Sequence, residues 1–138
     1  MTMSKDKLTI YLAGPIGGQT DEQCNDWRDH VTKELGHGYE IRNPMTRDYR
    51  GQYTEVHMAP EIVELDKRDI DCSDIVLANI TRHSTGTAME MLYAWERQKV
   101  IVAIANEGVK LSPWHIYHST RIMYSLDEAI NWIREFVR

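Results

Sequence analysis

Three short runs of β-forming apolar residues, 8–16 (LTIYLAGPI), 75–80 (IVLANI) and 100–105 (VIVAIA), constrain this chain more than any other feature. None approaches the roughly 18 apolar residues of a membrane span. Nearly every position in them is apolar, rather than every second one, which suits strands covered on both faces in the middle of a parallel sheet. Between them lie stretches of helical period. Residues 21–35 put Trp27, Val31 and Leu35 on one face, and Gly36 and Gly38 follow. Pro60 suits the first turn of a helix to about Asp71, with Ile62, Leu65 and Ile70 inward. Thr87 opens a helix through about Gln98, in which Met91, Tyr93, Ala94 and Trp95 supply apolar surface. Ser125 and Glu128 cap the last helix, with Ile130, Ile133, Phe136 and Val137 as its buried face. Residues 39–43 read as a brief second strand stopped by Pro44, 120–124 as a fifth, and 106–119 as irregular or briefly helical. The order β-α-β-α-β-α-β-β-α predicts an α/β fold, a parallel sheet of about five strands with helices on both sides. One domain, 1–138, accounts for the whole length of 138 residues, with no repeat or linker.

Composition narrows the function. The net charge is −5 and the basic residues are scattered, which argues against a duplex nucleic-acid partner, since that needs a basic face. A single nucleotide needs only a few donors and remains compatible. Cys24 and Cys72 stand far apart in no metal-type spacing, and no leader precedes them. Reduced thiols and a cytoplasmic location are expected.

Ligands of such sheets bind at the carboxyl ends of the strands, beside a topological switch point. Three segments arrive there: 14–18 with Gly14 and Ile16, Asn43 with Pro44, and 79–90 with Ser84, Gly86 and Glu90. Glu90 is expected in the first turn of its helix, where the dipole favours an ionised carboxylate suited to attack a sugar carbon. It is equally the capping-box partner of Thr87 in T-x-x-E. Asp66, Asp69, Asp71 and Asp74 are a second acidic group. Either Asp66 supplies the second carboxyl that glycosidic chemistry requires, or the group is a solvated face paired with Lys67 and Arg68. The 45–59 segment, with Arg47, Arg50 and two tyrosines, lacks a period and is long enough for a binding loop. Residues 14–18 lack the spacing of a dinucleotide or phosphate loop. His115 and His118 have no third ligand at metal spacing, so no metal is expected. Trp114, Tyr117 and Tyr124 suit either core packing or stacking on a base.

The segments IYLAGPI, D-x7-D-I-V-L-A-N and G-T-A-M-E-M-x-Y-A resemble the nucleoside 2-deoxyribosyltransferase family, which includes 2′-deoxynucleoside 5′-monophosphate N-glycosidases. The likeness runs from Tyr11 to about Ser119, and the block from Asp66 to Glu90 is its specific part. It implies a flavodoxin-like (Rossmann-like) α/β/α three-layer sandwich and catalysis without cofactor or metal. By the resemblance, Glu90 is the nucleophile forming a covalent glycosyl-enzyme at C1′. Asp66 contacts the base and helps protonate it, and Tyr11 orients the nucleophile. Ser84 stands where the nucleoside transferases are similar in carrying an acidic residue and the monophosphate hydrolases a serine, so a 5′-phosphate is favoured. Ser112 resembles a serine reaching that phosphate across a dimer interface, so a homo-oligomer with shared sites is expected. Where the hydrolases place a serine and an arginine after the first strand, this chain has Pro15 and Gly17. Arg47 and Arg50 are the candidate positive partners instead. The resemblance thus implies hydrolysis of a deoxynucleoside monophosphate; base exchange by a deoxyribosyltransferase and a non-catalytic nucleotide-binding module are the alternatives.

Overall fold

The structure, a computed structural model, describes residues 7–52 and 55–137. Strands β1 (Leu8–Ala13), β2 (Tyr39–Arg42), β3 (Ile75–Asn79), β4 (Val100–Ile104) and β5 (Arg121–Met123) form a parallel sheet in the order β2-β1-β3-β4-β5. The helices are α1 (Asp21–Leu35), α2 (Ala59–Asp71), α3 (Thr85–Glu96), the short α4 (Pro113–Tyr117) and α5 (Leu126–Phe136). α1 and α5 pack on one face of the sheet, α2 and α3 on the other. This is the expected three-layer α/β sandwich in its flavodoxin-like strand order, with the switch point between β1 and β3.

The pleat decides which residues serve which layer. Ile10 and Leu12 of β1, Ile75 and Leu77 of β3, and Val102 and Ile104 of β4 face α1 and α5. Tyr11 and Ala13, Val76 and Ala78, and Ile101 and Ala103 face α2 and α3. Ala13, Ala78 and Ala103 are paired in register, forming a row of small side chains near the carboxyl ends of the three central strands. That row keeps this face of the sheet shallow where α3 packs on it.

Local chemistry sets the helix ends. Thr20 and Gln23 make a reciprocal capping box at α1 that the sequence reading did not anticipate. Ser84 caps α3 by accepting the Thr87 amide, so this helix starts at Thr85, ahead of the expected Thr87. It stops at Glu96 because Gln98 takes a left-handed backbone, φ 61°, without a glycine to announce it. Ser125 caps α5 through the Glu128 amide, as expected. Phe136, expected inside, is 63% exposed, and Ala129 joins Ile130 and Ile133 as a buried position of α5 instead. Strand β1 ends at Ala13 rather than Ile16, because Gly14 turns the chain toward α1. The 45–59 segment contains 3-10 turns at Pro44–Thr46 and Val56–Met58; its Tyr53 lies outside the described residues. Among the described residues no helix is long and apolar enough to cross a membrane.

Gly14 is fixed by space. A Cβ there would lie 2.7 Å from Trp27 Cζ2 and 3.3 Å from Asn79 Cβ. Gly14→Ala should lower stability by about 1–3 kcal/mol in urea unfolding, the usual cost of overpacking. Adding Trp27→Phe, which trims the nearest atom, should recover part of the loss; an unchanged midpoint in Gly14→Ala would contradict the crowding.

Candidate active site

A cleft of about 490 Å³ opens at the carboxyl edge of the sheet, beside the switch point, a size within the usual range for small-molecule sites. Tyr11 rises from β1 into its floor, and Gly14, Ile16 and Gly17 form the loop on one side. Ile62, Asp66 and Lys67 of α2 line a wall, facing Ser84, Gly86, Thr87 and Glu90 of α3.

Glu90 is the centre of the arrangement. The Tyr11 hydroxyl donates to Glu90 Oε2 in a short hydrogen bond. Burial, and then the nearby Asp66, push the Glu90 carboxyl up to about 8; the Tyr11 hydrogen bond and the Arg28 charge pull the other way without prevailing. This corrects the expectation of a carboxylate kept ionised by its helix terminus. With Ser84 as the cap, Glu90 falls in the second turn, away from the free amides, and desolvation outweighs the dipole. The Thr87–Glu90 capping box does not form. The Tyr11 phenol is raised well above its ordinary value by burial and by Glu90 and Asp66, so it stays protonated and able to donate. Asp66 is also raised, first by burial, with Arg47 acting against the rise.

Of the residues singled out from sequence, Tyr11, Gly14, Ile16, Asp66, Ser84, Gly86 and Glu90 share this cleft. Asn43, Arg47, Arg50 and Ser112 do not line it. Asn43 caps the turn that follows it, its Oδ1 accepting the Met45 amide at 2.9 Å. Arg47 Nη2 donates to Asp69 Oδ2 at 2.6 Å and to Asp66 Oδ1 at 3.3 Å. Arg50 is engaged by Asp48 and Asp21, each at 2.7 Å. Ser112 is exposed at the N-cap of α4, where it accepts the Trp114 amide. Trp114 and Tyr117, 65% and 68% exposed, belong neither to the core nor to the cleft. Asp69 is not on a solvated face: it is buried and paired with Arg42 and Arg47. Among the described residues no three His, Cys, Asp or Glu side chains gather as a metal site.

Two contributors escaped the sequence reading. Arg28 is fully buried, donating to the carbonyls of Leu12, Cys24 and Gly14 and stacking on Trp27. It ties the loop after β1 to α1 and places positive charge behind the cleft. Its signal was present, since Cys24, Arg28, Val31 and Leu35 form the inward stripe of α1 and an arginine there is out of place. Lys67 is the one lysine or arginine among the described cleft-lining residues, hidden in sequence by its acidic neighbours.

The chain matches the family model described as nucleoside 2-deoxyribosyltransferase like over residues 7–107. No curated protein matches it in sequence. Its fold is similar to that of the 2-deoxyribosyltransferase from the psychrotolerant Bacillus psychrosaccharolyticus, at 19% identity and a TM-score of 0.72, covering 89% of this chain and 90% of that one. A 2-desoxiribosyltransferase from Leishmania mexicana gives 17% identity and 0.72, covering 95% and 99%. The CMP N-glycosidase BcmB of Clostridium botulinum gives 17% and 0.61, covering 91% and 98%.

The raised Glu90 carboxyl has a consequence for stability. A carboxyl with a higher pKa folded than unfolded binds more protons in the folded state, so its contribution is lost as pH rises from its ordinary 4.5 to about 8. Glu90→Gln removes that loss. Its melting temperature should exceed that of the parent by several degrees at pH 9, with the gap closing toward pH 4.5. A gap independent of pH would show that Glu90 is not held against ionisation.

Proposed function

The chain belongs to the nucleoside 2-deoxyribosyltransferase-like family of enzymes, and we propose that it hydrolyses the N-glycosidic bond of a 2′-deoxynucleoside 5′-monophosphate. The observation that carries this reading is the placing of the Glu90 carboxyl, hydrogen-bonded by Tyr11, in one cleft with the Asp66 carboxyl. Two carboxyls in one site, one to attack and one to deliver a proton, suit a retaining glycosidic mechanism. Glu90 attacks C1′ as the C1′–N bond breaks, and its electron pair goes to the base, whose ring nitrogen takes the proton from Asp66. Water then adds to C1′, giving a proton to Asp66, and the C1′–O bond pair returns to Glu90. Free base and deoxyribose 5-phosphate leave. The reactive form holds one proton between the two carboxyls, so the rate falls once pH passes about 8, where that proton is lost.

Ser84 supports a phosphate-bearing substrate. Its Oγ accepts from the Thr87 amide at 3.2 Å and the Thr87 hydroxyl at 3.0 Å, which leaves its own O–H to donate into the cleft. Gly86 stands beside it, and Lys67 is the cation on the opposite wall. A second reading, base exchange on an uncharged deoxynucleoside, is favoured by one observation: Arg47 and Arg50, the expected phosphate partners, are both occupied by carboxylates.

The site is proposed to be completed by a second copy of the chain. Ser112 is exposed beside Trp114, Ile116 and Tyr117, which present a run of exposed apolar surface on α4. Mixing a Ser112→Ala chain with a Glu90→Gln chain should then restore part of the activity that each lacks alone. An active monomer in sedimentation would remove this role.

Activity on matched deoxynucleosides and their 5′-monophosphates, read as free base by chromatography, tests the substrate and the chemistry together. Charge-assisted hydrogen bonds to phosphate are each worth roughly 1.5–3 kcal/mol, so monophosphates should lead by one or more orders of magnitude in kcat/KM. Ser84→Asp should reverse the order. Glu90→Gln should lose several orders of magnitude in rate with its fold intact. Equal or higher efficiency on nucleosides would favour the second reading, and near-parental turnover by Glu90→Gln would sink both.

A further inference from the structure

Asp69, three residues after Asp66 and one turn along α2, is only 6% exposed, yet it touches no part of the cleft. Its two oxygens are divided between two arginines from outside the helix. Oδ1 accepts Arg42 Nη1 at 3.0 Å, and Oδ2 accepts Arg47 Nη2 at 2.6 Å. The same Arg47 nitrogen reaches Asp66 Oδ1 at 3.3 Å. Arg42 already supplies Asp69 with a counter-charge, so the second arginine leaves positive charge to lend to Asp66. Arg47 is held firmly for that purpose. It follows the Pro44–Thr46 turn, which has Asn43 as its cap and a buried Pro44, and the Arg47 amide donates to the Pro44 carbonyl at 3.0 Å.

We infer that Arg47 is a positioning residue acting through Asp66, aimed by Asp69, which fixes one Asp66 oxygen from behind so that the other is presented to the substrate's base. This deepens the glycosidic reading above and rests on it. The interaction has two effects. It restricts the Asp66 carboxyl to one orientation, because the arginine that holds Oδ1 is itself fixed by a shorter bond to a buried carboxylate. It also opposes the groups that favour the protonated form of Asp66. Glu90 from α3, Tyr11 from β1, Tyr49 from the segment after β2 and Asp69 on its own helix face Asp66 in addition to its burial, with Arg28 from α1 and Arg47 on the positive side. Arg47 therefore sets how readily Asp66 gives up the proton that the departing base receives. A phosphate contact would need the same guanidinium in the cleft, where it is not found.

The experiment uses the full chain as Arg47→Gln, Arg47→Lys and Asp69→Asn, each against the parent. Two measurements are made: the pH profile of kcat and KM on a deoxynucleoside monophosphate, and titration of the Asp66 carboxyl by carbon-detected magnetic resonance in a Glu90→Gln background. Arg47→Gln should lower kcat by about tenfold or more, within the range that an oriented general acid supplies, with little change in KM. Its pH profile should move to higher pH as a whole, because loss of the cation raises the proton affinity of Asp66. Arg47→Lys should restore the position of the profile better than the rate, since it returns the charge without the fork. Asp69→Asn should also lower kcat, because Arg47 loses its anchor, but its pH profile should move little or to lower pH, since the negative charge that favours protonated Asp66 goes with it. An Asp66 titration that stays in place in Arg47→Gln overturns the inference, as does a loss confined to KM for monophosphates. Should Arg47→Gln not fold, the rates of Arg47→Lys and Asp69→Asn decide: both should lose kcat with KM kept, and an unchanged kcat in both overturns the inference. Failure of the glycosidic reading is separate: there Asp66→Asn itself leaves the rate and its pH dependence untouched.

Discussion

A strand can turn only alternate side chains to one layer, and the site hangs on how β1 uses this constraint. Ile10 and Leu12 are committed to the α1–α5 layer, which leaves Tyr11 and Ala13 for the layer that carries the cleft. Slipping the strand by one residue would bury Tyr11 among Val31 and Ile130 and lose its hydrogen bond to Glu90. The alanine row of Ala13, Ala78 and Ala103 continues the argument along the strands. Larger residues there would hold α3 away, and the Tyr11 hydroxyl would no longer reach its second turn. The reach of one phenol thus depends on the register of three strands.

Charge is organised around the same point from two directions. Arg28 lies behind the cleft, buried, donating to three backbone carbonyls. Arg47 approaches from the segment after β2 and is anchored by Asp69. At Glu90 the Arg28 charge acts against the rise, and burial with the nearby Asp66 prevails. Arg47 meets Asp66 directly, whereas Glu90 feels burial, the Asp66 charge, one phenol and the more distant Arg28.

Much of the fold was legible because apolar runs flanked by turn residues fix strands, and periodicity fixes helices. The bounds of α1 and the Ser125 cap of α5 follow from local chemistry alone. The start of α3 did not, because Ser84 and Thr87 are both credible caps and only tertiary packing, which buries Thr87, chooses between them. That two-residue choice moved Glu90 out of the first turn, and the burial that raises its carboxyl was not legible from its place in the helix. Ser84 and Glu90 were placed at the cleft by the strand ends, Asp66 as the alternative to a solvated face and Tyr11 by the family resemblance, and the four do meet. The partners of Arg47 and Arg50 were not legible, since an arginine in an aperiodic segment can be claimed by any acid that the fold brings near, and Asp69 and Asp21 are distant in sequence. Arg28 was missed because an inward stripe is usually scored by its apolar members.

The state of Glu90 bears on what the cleft can admit. Asp66, Glu90 and Glu96 line it with one lysine, Lys67. With all three acids ionised, an incoming phosphate would meet an excess of negative charge in a partly desolvated space, where like charges repel far more strongly than in water. A neutral Glu90 lowers that barrier to entry. In the proposed reaction the same proton must leave Glu90 before it attacks C1′, and Asp66 is the group placed to hold it. Admission of an anion and activation of the nucleophile are therefore two ends of one proton transfer within the pair. An uncharged nucleoside makes no such demand on entry. On the proposed reading, a Glu90 carboxyl kept protonated by burial and by Asp66 eases the entry of a substrate that brings negative charge of its own.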